Sequence, residues 1–293
     1  MTNLPNVSVI VPVHNTRLEY LRPCLESIAH QTIPTQVFIV DDASEEYTYS
    51  FLKTYVRNKP NWTLIRHVFN HGVAFSRNTG LKRVKTPYVA FCDSDDIWEP
   101  NKLEMQLPKL YYGSSVDICK TRIDYRTESG YKSTERIASS QLLKDLLLIE
   151  DSEFIKQENP IRTAYVKLIR FNASLCGSNA VFNTNHLRLV GGFNPKLNGA
   201  DEWDALLKVA SRYPVSVSPN VLCSYVRHCG SFSTTKLDHL RQVCEKIIYN
   251  HRCNLTDQER VLLQSVETAK WGVEFERTTF APNTPYKIIR YTG

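Results

Sequence analysis

The sequence has no apolar run approaching the roughly 20 residues that span a bilayer. Its start, MTNLPNVSVIVPVHN, has no basic segment leading into an apolar one. It reads as a first core strand rather than a secretory signal, so the expected location is cytoplasmic. The eight cysteines include no CxxC, and reduced thiols are the expected state. Cys223, His228, Cys229, Cys244, His251 and Cys253 lie close in sequence, but their spacing matches no common zinc finger. The net charge of +6 is scattered, with no long basic block and no recognised nucleic-acid motif. That removes nucleic acid from the expected partners and leaves a mildly basic surface. Such a surface suits anionic substrates, or peripheral contact with lipid headgroups at the inner face of a membrane. There is neither a GxGxxG element nor a GxxxxGK[ST] loop, which disfavours dinucleotide and P-loop enzymes. No repeat, low-complexity tract or Ser/Gly-rich linker divides the 293 residues, so one large domain is expected.

What is present is an alternation of strand and helix signals. Val7–Val13 (VSVIVPV) is a β-branched run suited to a strand covered on both faces, and Gln36–Val40, Trp62–Val68 and Tyr88–Cys92 read as further strands. Between them lie helical stretches at about 21–31, 47–56 and 74–84. The first is expected to start close to Pro23, and Ser44 is a candidate cap for the second. This β-α-β-α-β-α-β order argues for a doubly wound, mostly parallel sheet. Further on, Val116–Arg126 and Tyr131–Ile137 read as a hairpin, Cys176–Phe182 and Val215–Val226 as strands, and 141–149, 237–249 and 257–271 as helices.

In YVAFCDSDDIW a greasy strand runs straight into Asp93, Asp95 and Asp96, which repel one another unless a cation sits among them. Carboxylates at i and i+2 on a strand end suit Mg²⁺ or Mn²⁺, which take one or two protein carboxylates plus substrate phosphate oxygens. The alternative is a helix cap and turn, with IWEPNKLEMQL as the helix. A second acidic pair, Asp41-Asp42, ends the second strand. Ligands of doubly wound sheets bind outside the carboxyl ends of the strands, where both acidic groups fall. Gly72 opens a helix in NHGVAFSRNTG, so backbone N–H groups can approach an anion, with Arg77 one turn in.

The order VSVIVPVHN, LESIAHQT, FIVDDAS, NHGVAFSRNTGL, YVAFCDSDD and GGFNPKLNGADEWDALLKV resembles the family 2 glycosyltransferases of the GT-A fold, closely over 6–110 and more loosely over 176–234. The resemblance implies an α/β, Rossmann-like central sheet flanked by helices. It implies a donor half at 1–112 and an acceptor and catalytic-base half at 113–235; beyond these, the helical signals read as a C-terminal extension at 236–293. It implies a nucleotide-sugar donor, most often a UDP-sugar, a divalent metal (Mn²⁺ or Mg²⁺) and inversion at the anomeric carbon. The hexosyl or N-acetylhexosaminyl group would go to a glycan, glycoprotein or lipid-linked acceptor in polysaccharide or glycoconjugate synthesis.

Carried over by position, Pro12, Val13 and His14 would line the base, Asp42 would contact uracil or ribose, and Arg77 would sit by the nucleotide. Asp93 would hold ribose or metal-bound water, and Asp95 the metal. Arg227 and Ser231 would meet phosphates, and His228 would be a further metal ligand. The family usually shows Glu-Asp after its GGF segment, whereas here the order is Asp201-Glu202. By register Glu202 takes the base position and Asp201 its neighbour. The QxxRW signature of processive members is absent, which favours addition of one sugar or a few. Trp98, Trp203 and Trp271 are candidate platforms for sugar rings or core residues. Arg162, Lys167 and Arg170 are candidate contacts for an anionic acceptor or a solvated face. Competing readings are a sugar nucleotidyltransferase, whose basic Gly-rich loop is missing, and a sugar-nucleotide-binding protein without catalysis.

Overall fold

The computed structural model describes residues 6–127, 130–138, 160–170, 177–228 and 235–257. Residues 1–253 form one compact unit and 254–293 another; the helix at Leu237–Arg252 belongs to the first, to which everything below refers.

The chain begins as expected: β1 (Val7–Val13), α1 (Leu18–Ala29), β2 (Thr35–Asp41), α2 (Glu46–Val56), β3 (Trp62–Arg66), α3 (Val73–Arg83) and β4 (Tyr88–Phe91). All seven residues of β1 are buried, as a β-branched run with helices on both faces requires. A two-residue β5 (Ile97–Trp98) and α4 (Lys102–Tyr111) follow, then the long pair β6 (Val116–Thr127) and β7 (Gly130–Ala138). The remaining elements are α5 (Pro160–Arg170), a 3₁₀ turn (Gly177–Asn179), β8 (Ala180–Asn183), α6 (Thr184–Leu189), α7 (Asp201–Ala210), β9 (Val215–Arg227) and α8 (Leu237–Arg252).

The sheet order is β3-β2-β1-β4-β8-β6-β9-β5, with β7 on β6. Strands β3, β2, β1 and β4 are parallel; β8 runs against both β4 and β6, and β9 runs parallel to β6. The architecture is thus α/β with a parallel half and a mixed half. Successive strands run outward from β1 to β3, and the chain then crosses back to place β4 on the other side of β1. The carboxyl ends of β1 and β4 therefore flank the point where strand order reverses, the crevice in which such sheets bind ligands.

Several local expectations are corrected. Helix α1 starts at Leu18, so Pro23 lies in its second turn. The missing N–H there is tolerated because Tyr20, Leu21, Cys24, Leu25 and Ile28 bury one continuous face. Ser44 does not cap α2: its hydroxyl accepts from the Asn15 N–H at 2.9 Å, tying the loop after β1 to the loop after β2. IWEPNKLEMQL is not one helix, because Ile97 and Trp98 pair with Ser224 and Cys223 of β9 before α4 begins. The strand expected at 176–182 starts only at Ala180, with the 3₁₀ turn before it. The helices expected at 141–149 and 257–271 lie outside the described residues, apart from Asp257.

Helix α3 lies on β1 through Gly80. A Cβ added there would stand 2.6 Å from Ile10 Cγ2 and 2.9 Å from Cγ1. Gly80→Ala gains about 1 kcal/mol of helix propensity, against about 1–3 kcal/mol of overpacking in a buried contact. The expected result is a net loss of about 1 kcal/mol in urea unfolding, with the midpoint lowered. A midpoint at or above that of the wild type would contradict this close approach.

Candidate active site

Four groups of residues meet at the carboxyl end of the sheet. After β1, Pro12 and Val13 are buried in the strand, so the side chain presented at its end is exposed His14. His14 Nδ1 donates to the Asp42 carbonyl at 2.8 Å. Asn15, at φ 52°, uses its amide oxygen to accept from the Glu45 N–H at 2.7 Å. Thr16 Oγ1 lies 2.6 Å from Ser94 Oγ, closing the crevice between the ends of β1 and β4.

After β2, the two aspartates divide their work. Asp41 is fully buried, takes the Ser44 N–H at 3.3 Å and faces Arg66 Nε at 3.5 Å, which makes it a loop strut. The Asp42 carboxylate accepts from His67 Nδ1 at 2.7 Å, from the Gly72 N–H at 2.7 Å and from the His71 N–H at 3.0 Å. It therefore sits on the N–H groups of His71 and Gly72 just before α3, close to the end where the helix dipole favours a negative charge.

The DSDD loop after β4 separates its three carboxylates into three environments, which answers how they coexist. Asp96 is buried: Oδ2 accepts from Ser178 Oγ at 2.5 Å and Oδ1 from the Val226 N–H at 3.2 Å. Ser178 Oγ in turn accepts from the Asp93 N–H at 2.8 Å. Asp96 thus ties the loop to β9, two residues before His228. Asp95 Oδ2 meets His228 Nε2 at 3.0 Å, and the His228 ring stacks on Tyr20 of α1 with centroids 4.2 Å apart and planes 14° from parallel. Asp93 Oδ1 accepts from Arg77 Nη2 at 2.5 Å, and 27% of its side chain stays exposed.

Arg77, on α3, is 2% exposed and faces three carboxylates. Besides Asp93, its Nη1 donates to Asp201 Oδ2 at 2.6 Å and to Glu202 Oε2 at 3.4 Å. Both acids open α7, after Ala200 at φ 53°. Asp201 is sealed, at 1% side-chain exposure, whereas Glu202 keeps 18%. Burial pushes the Glu202 carboxyl up to about 8, the Asp201 charge adds to the rise and Arg77 opposes it. Burial likewise raises Asp201 against the pull of Arg77. Burial alone would lower the Arg77 guanidinium, but Asp201, Asp93 and Glu202 hold it well above its ordinary value. Asp204 turns away, to Lys208 at 2.6 Å and His251 at 3.4 Å.

The remaining candidates sort plainly. Trp98 and Trp203 are core, at 2% and 0% exposure, so neither is a sugar platform. Cys223 is buried, and no group of three or more His, Cys, Asp or Glu that could hold a metal is found among the described residues. Arg227 is the last residue of β9, with its guanidinium 5.7 Å from the Tyr225 ring. Ser231, Cys229, Trp271 and the side chains of Arg162, Lys167 and Arg170 lie outside the described residues. Sequence reasoning missed Asn15, Tyr20, Gly177 and Ser178. Only Asn15 carried a signal, as the end of the PVHN stretch.

A parallel half-sheet ending in acidic loops, with an acid pair brought opposite them on a helix start, is matched in known proteins. The family model "Glycosyl transferase family 2" matches residues 8–177, more than half of the chain. The chain belongs to this family. Relatives in it include TuaG of Bacillus subtilis, which carries the name of a teichuronic acid biosynthesis glycosyltransferase; it is 40% identical over 109 residues, 36% of this chain and 43% of that one. Chondroitin synthase of Escherichia coli is 25% identical over 249 residues, 85% of this chain and 33% of that one. The alignments therefore span less than half the length of these relatives. Among solved structures, residues 1–349 of TarS from S. aureus in complex with UDP-GlcNAc superpose with a TM-score of 0.64 at 21% identity, over 94% of this chain and 74% of that one. The mannosyltransferase PcManGT of Pyrobaculum calidifontis, in complex with GDP-Man and Mn²⁺, gives 0.58 at 19% identity, over 92% and 81%. These likenesses establish the GT-A fold for this family 2 glycosyltransferase. No helix among its described residues is long and apolar enough to cross a membrane.

Proposed function

We propose that this glycosyltransferase moves a hexosyl or N-acetylhexosaminyl group from a UDP-sugar to an acceptor hydroxyl, with a divalent metal and inversion at the anomeric carbon. The observation that carries this reading is the placement of the Asp95–His228 pair and the Glu202–Asp201 pair at one crevice, joined through Arg77 and Asp93. Residues 1–112 act as the donor half and 113–235 as the acceptor and base half. UDP-GlcNAc in TarS, and GDP-Man with Mn²⁺ in PcManGT, support a nucleotide-sugar donor and a metal.

The metal fits the residues present. Asp95 and His228 put a carboxylate oxygen and an imidazole nitrogen 3.0 Å apart, with the ring held by Tyr20. A cation can replace the proton they share, and two protein ligands leave room for diphosphate oxygens. The metal, Mn²⁺ or Mg²⁺, would supply Lewis-acid stabilisation of the leaving diphosphate.

The other steps belong to the chain. His14 and Asp42, with buried Pro12 and Val13 behind them, form the floor for the base and ribose, and Arg227 meets the diphosphate. Glu202 Oε2 accepts the acceptor's hydroxyl proton as that oxygen attacks the anomeric carbon from the face opposite the diphosphate. Glu202 takes this part rather than Asp201 because it alone of the two retains solvent access. Asp93, partly exposed beside Arg77, faces the donor.

The test is to incubate the protein and Mn²⁺ with UDP-, GDP- and dTDP-sugars and follow nucleotide release. Release from one or more UDP-sugars is expected, and its absence from every sugar nucleotide would overturn the reading. Release from the GDP- or dTDP-sugars alone would move the donor to that base.

A further inference from the structure

Arg77 has a role that its position in the NHGVAFSRNTG stretch does not announce. We infer that Arg77 is a positioning residue for the catalytic base: its guanidinium fork holds the acid pair at the start of α7 against Asp93 of the metal loop, and it does not contact the nucleotide. The inference rests on the reading of Glu202 as the base.

The geometry leaves the fork little freedom. Nη1 is shared between Asp201 at 2.6 Å and Glu202 at 3.4 Å, and Nη2 is held by Asp93 at 2.5 Å. The side chain is 2% exposed, and its buried Nε has no hydrogen-bond partner among the described residues. The Phe193 ring lies 5.5 Å from the guanidinium carbon. On another side the backbone of Gly177 approaches so closely that a Cβ there would stand 2.6 Å from Nη2. To reach a phosphate or a base, the guanidinium would have to leave three carboxylates, one of them sealed inside the protein.

The charge count leads to the same role. Asp93, Asp201 and Glu202 place three acids around one cation. Cys244 of α8, whose thiol burial pushes up to about 12, also faces Glu202 and brings no positive charge. Without Arg77 three acids so close together could not all stay ionised, and a base that holds its proton does not accept another. A lysine would keep the charge but not the fork, because one ammonium cannot form parallel bonds to acids on two elements. Arg77 thus joins the donor-side loop to the acceptor-side helix and sets both the place and the proton affinity of Glu202.

The experiment combines a titration with a mutant cycle. Glutamate carboxyl carbons are labelled with ¹³C, the Glu202 signal is assigned by its loss in Glu202→Gln, and its pH midpoint is followed in wild type and Arg77→Gln. The expected result is an upward move of about one unit or more, since the removed cation stabilised the ionised form. An unmoved midpoint would overturn the inference.

In nucleotide release from the active UDP-sugar, Arg77→Gln is expected to cost about 100-fold in kcat, with KM for donor within about threefold. In the Glu202→Gln background the same change should cost no more than about twofold, because the two side chains act as one unit. The opposite split, UDP·Mn²⁺ binding weakened more than about tenfold with kcat retained, would make Arg77 a nucleotide contact and overturn the inference. If Arg77→Gln does not fold, Gly177→Ala keeps the charge but displaces the fork, and the midpoint and kcat should move the same way by less. If the wild type releases no nucleotide at all, the proposed reaction fails, while the carboxyl titration still decides whether Arg77 governs Glu202.

Discussion

Glu202→Gln is expected to abolish transfer while leaving the donor bound. General bases contribute about 10²–10⁴-fold, and glutamine keeps the shape of the side chain while removing its capacity to take a proton. The assay is sugar transfer or nucleotide release, alongside calorimetry of UDP with Mn²⁺. The two readouts should part: turnover falls by about 10³-fold, and UDP affinity changes by less than about threefold. Asp201→Asn should cost less, because Asp201 is sealed against Arg77 and acts on the base only through its charge. A variant pair in which Asp201→Asn is dead and Glu202→Gln active would reverse the assignment.

The same carboxyl fixes a pH dependence. Burial raises Glu202 to about 8 in the free protein. The base works only when ionised, so log kcat/KM is expected to rise with pH, with a slope near one, and to level off around 8. For stability the sign is opposite. A carboxyl that titrates higher in the folded than in the unfolded state binds more protons when folded, so stability falls between the ordinary value of 4.5 and about 8. Activity and resistance to unfolding should therefore move in opposite directions through this window.

The second large effect belongs to Asp95. Asp95→Ala removes the carboxylate of the pair that meets at 3.0 Å and keeps the stacking of His228 on Tyr20. Charge neutralisation of a leaving diphosphate by a metal is worth several kcal/mol, so a loss of about 10³-fold in turnover is expected. His228→Ala should cost less, since the Asp95 carboxylate remains to hold the metal. Asp96→Asn is a contrasting case: its effect should appear first in folding, because Asp96 ties Ser178 to β9 rather than facing the crevice.

Much of the parallel half of the sheet was legible because its signals are local. Strands β1, β2 and β4 are largely buried, and the acidic groups fall at the carboxyl ends of β2 and β4 as the alternation implied. Pro23 misled because its local cost is real, but the buried face of α1 outweighs it. Ser44 misled because a residue with cap chemistry was recruited by Asn15, 29 positions away. The joining of Arg77 to Asp201 spans 124 positions and that of Asp96 to Val226 spans 130. No periodicity or spacing encodes such contacts; they exist only once the mixed half of the sheet brings β9 and α7 back over the DSDD loop. The reversed Asp201-Glu202 order became interpretable for the same reason, when burial separated a sealed acid from an accessible one.

The most direct measurement is calorimetric titration of UDP into the protein with and without Mn²⁺, in wild type and Asp95→Ala. The account predicts binding that requires Mn²⁺ in the wild type and is lost in Asp95→Ala. Equal binding with and without the metal, or binding untouched by the substitution, would contradict a donor site built on Asp95 and His228.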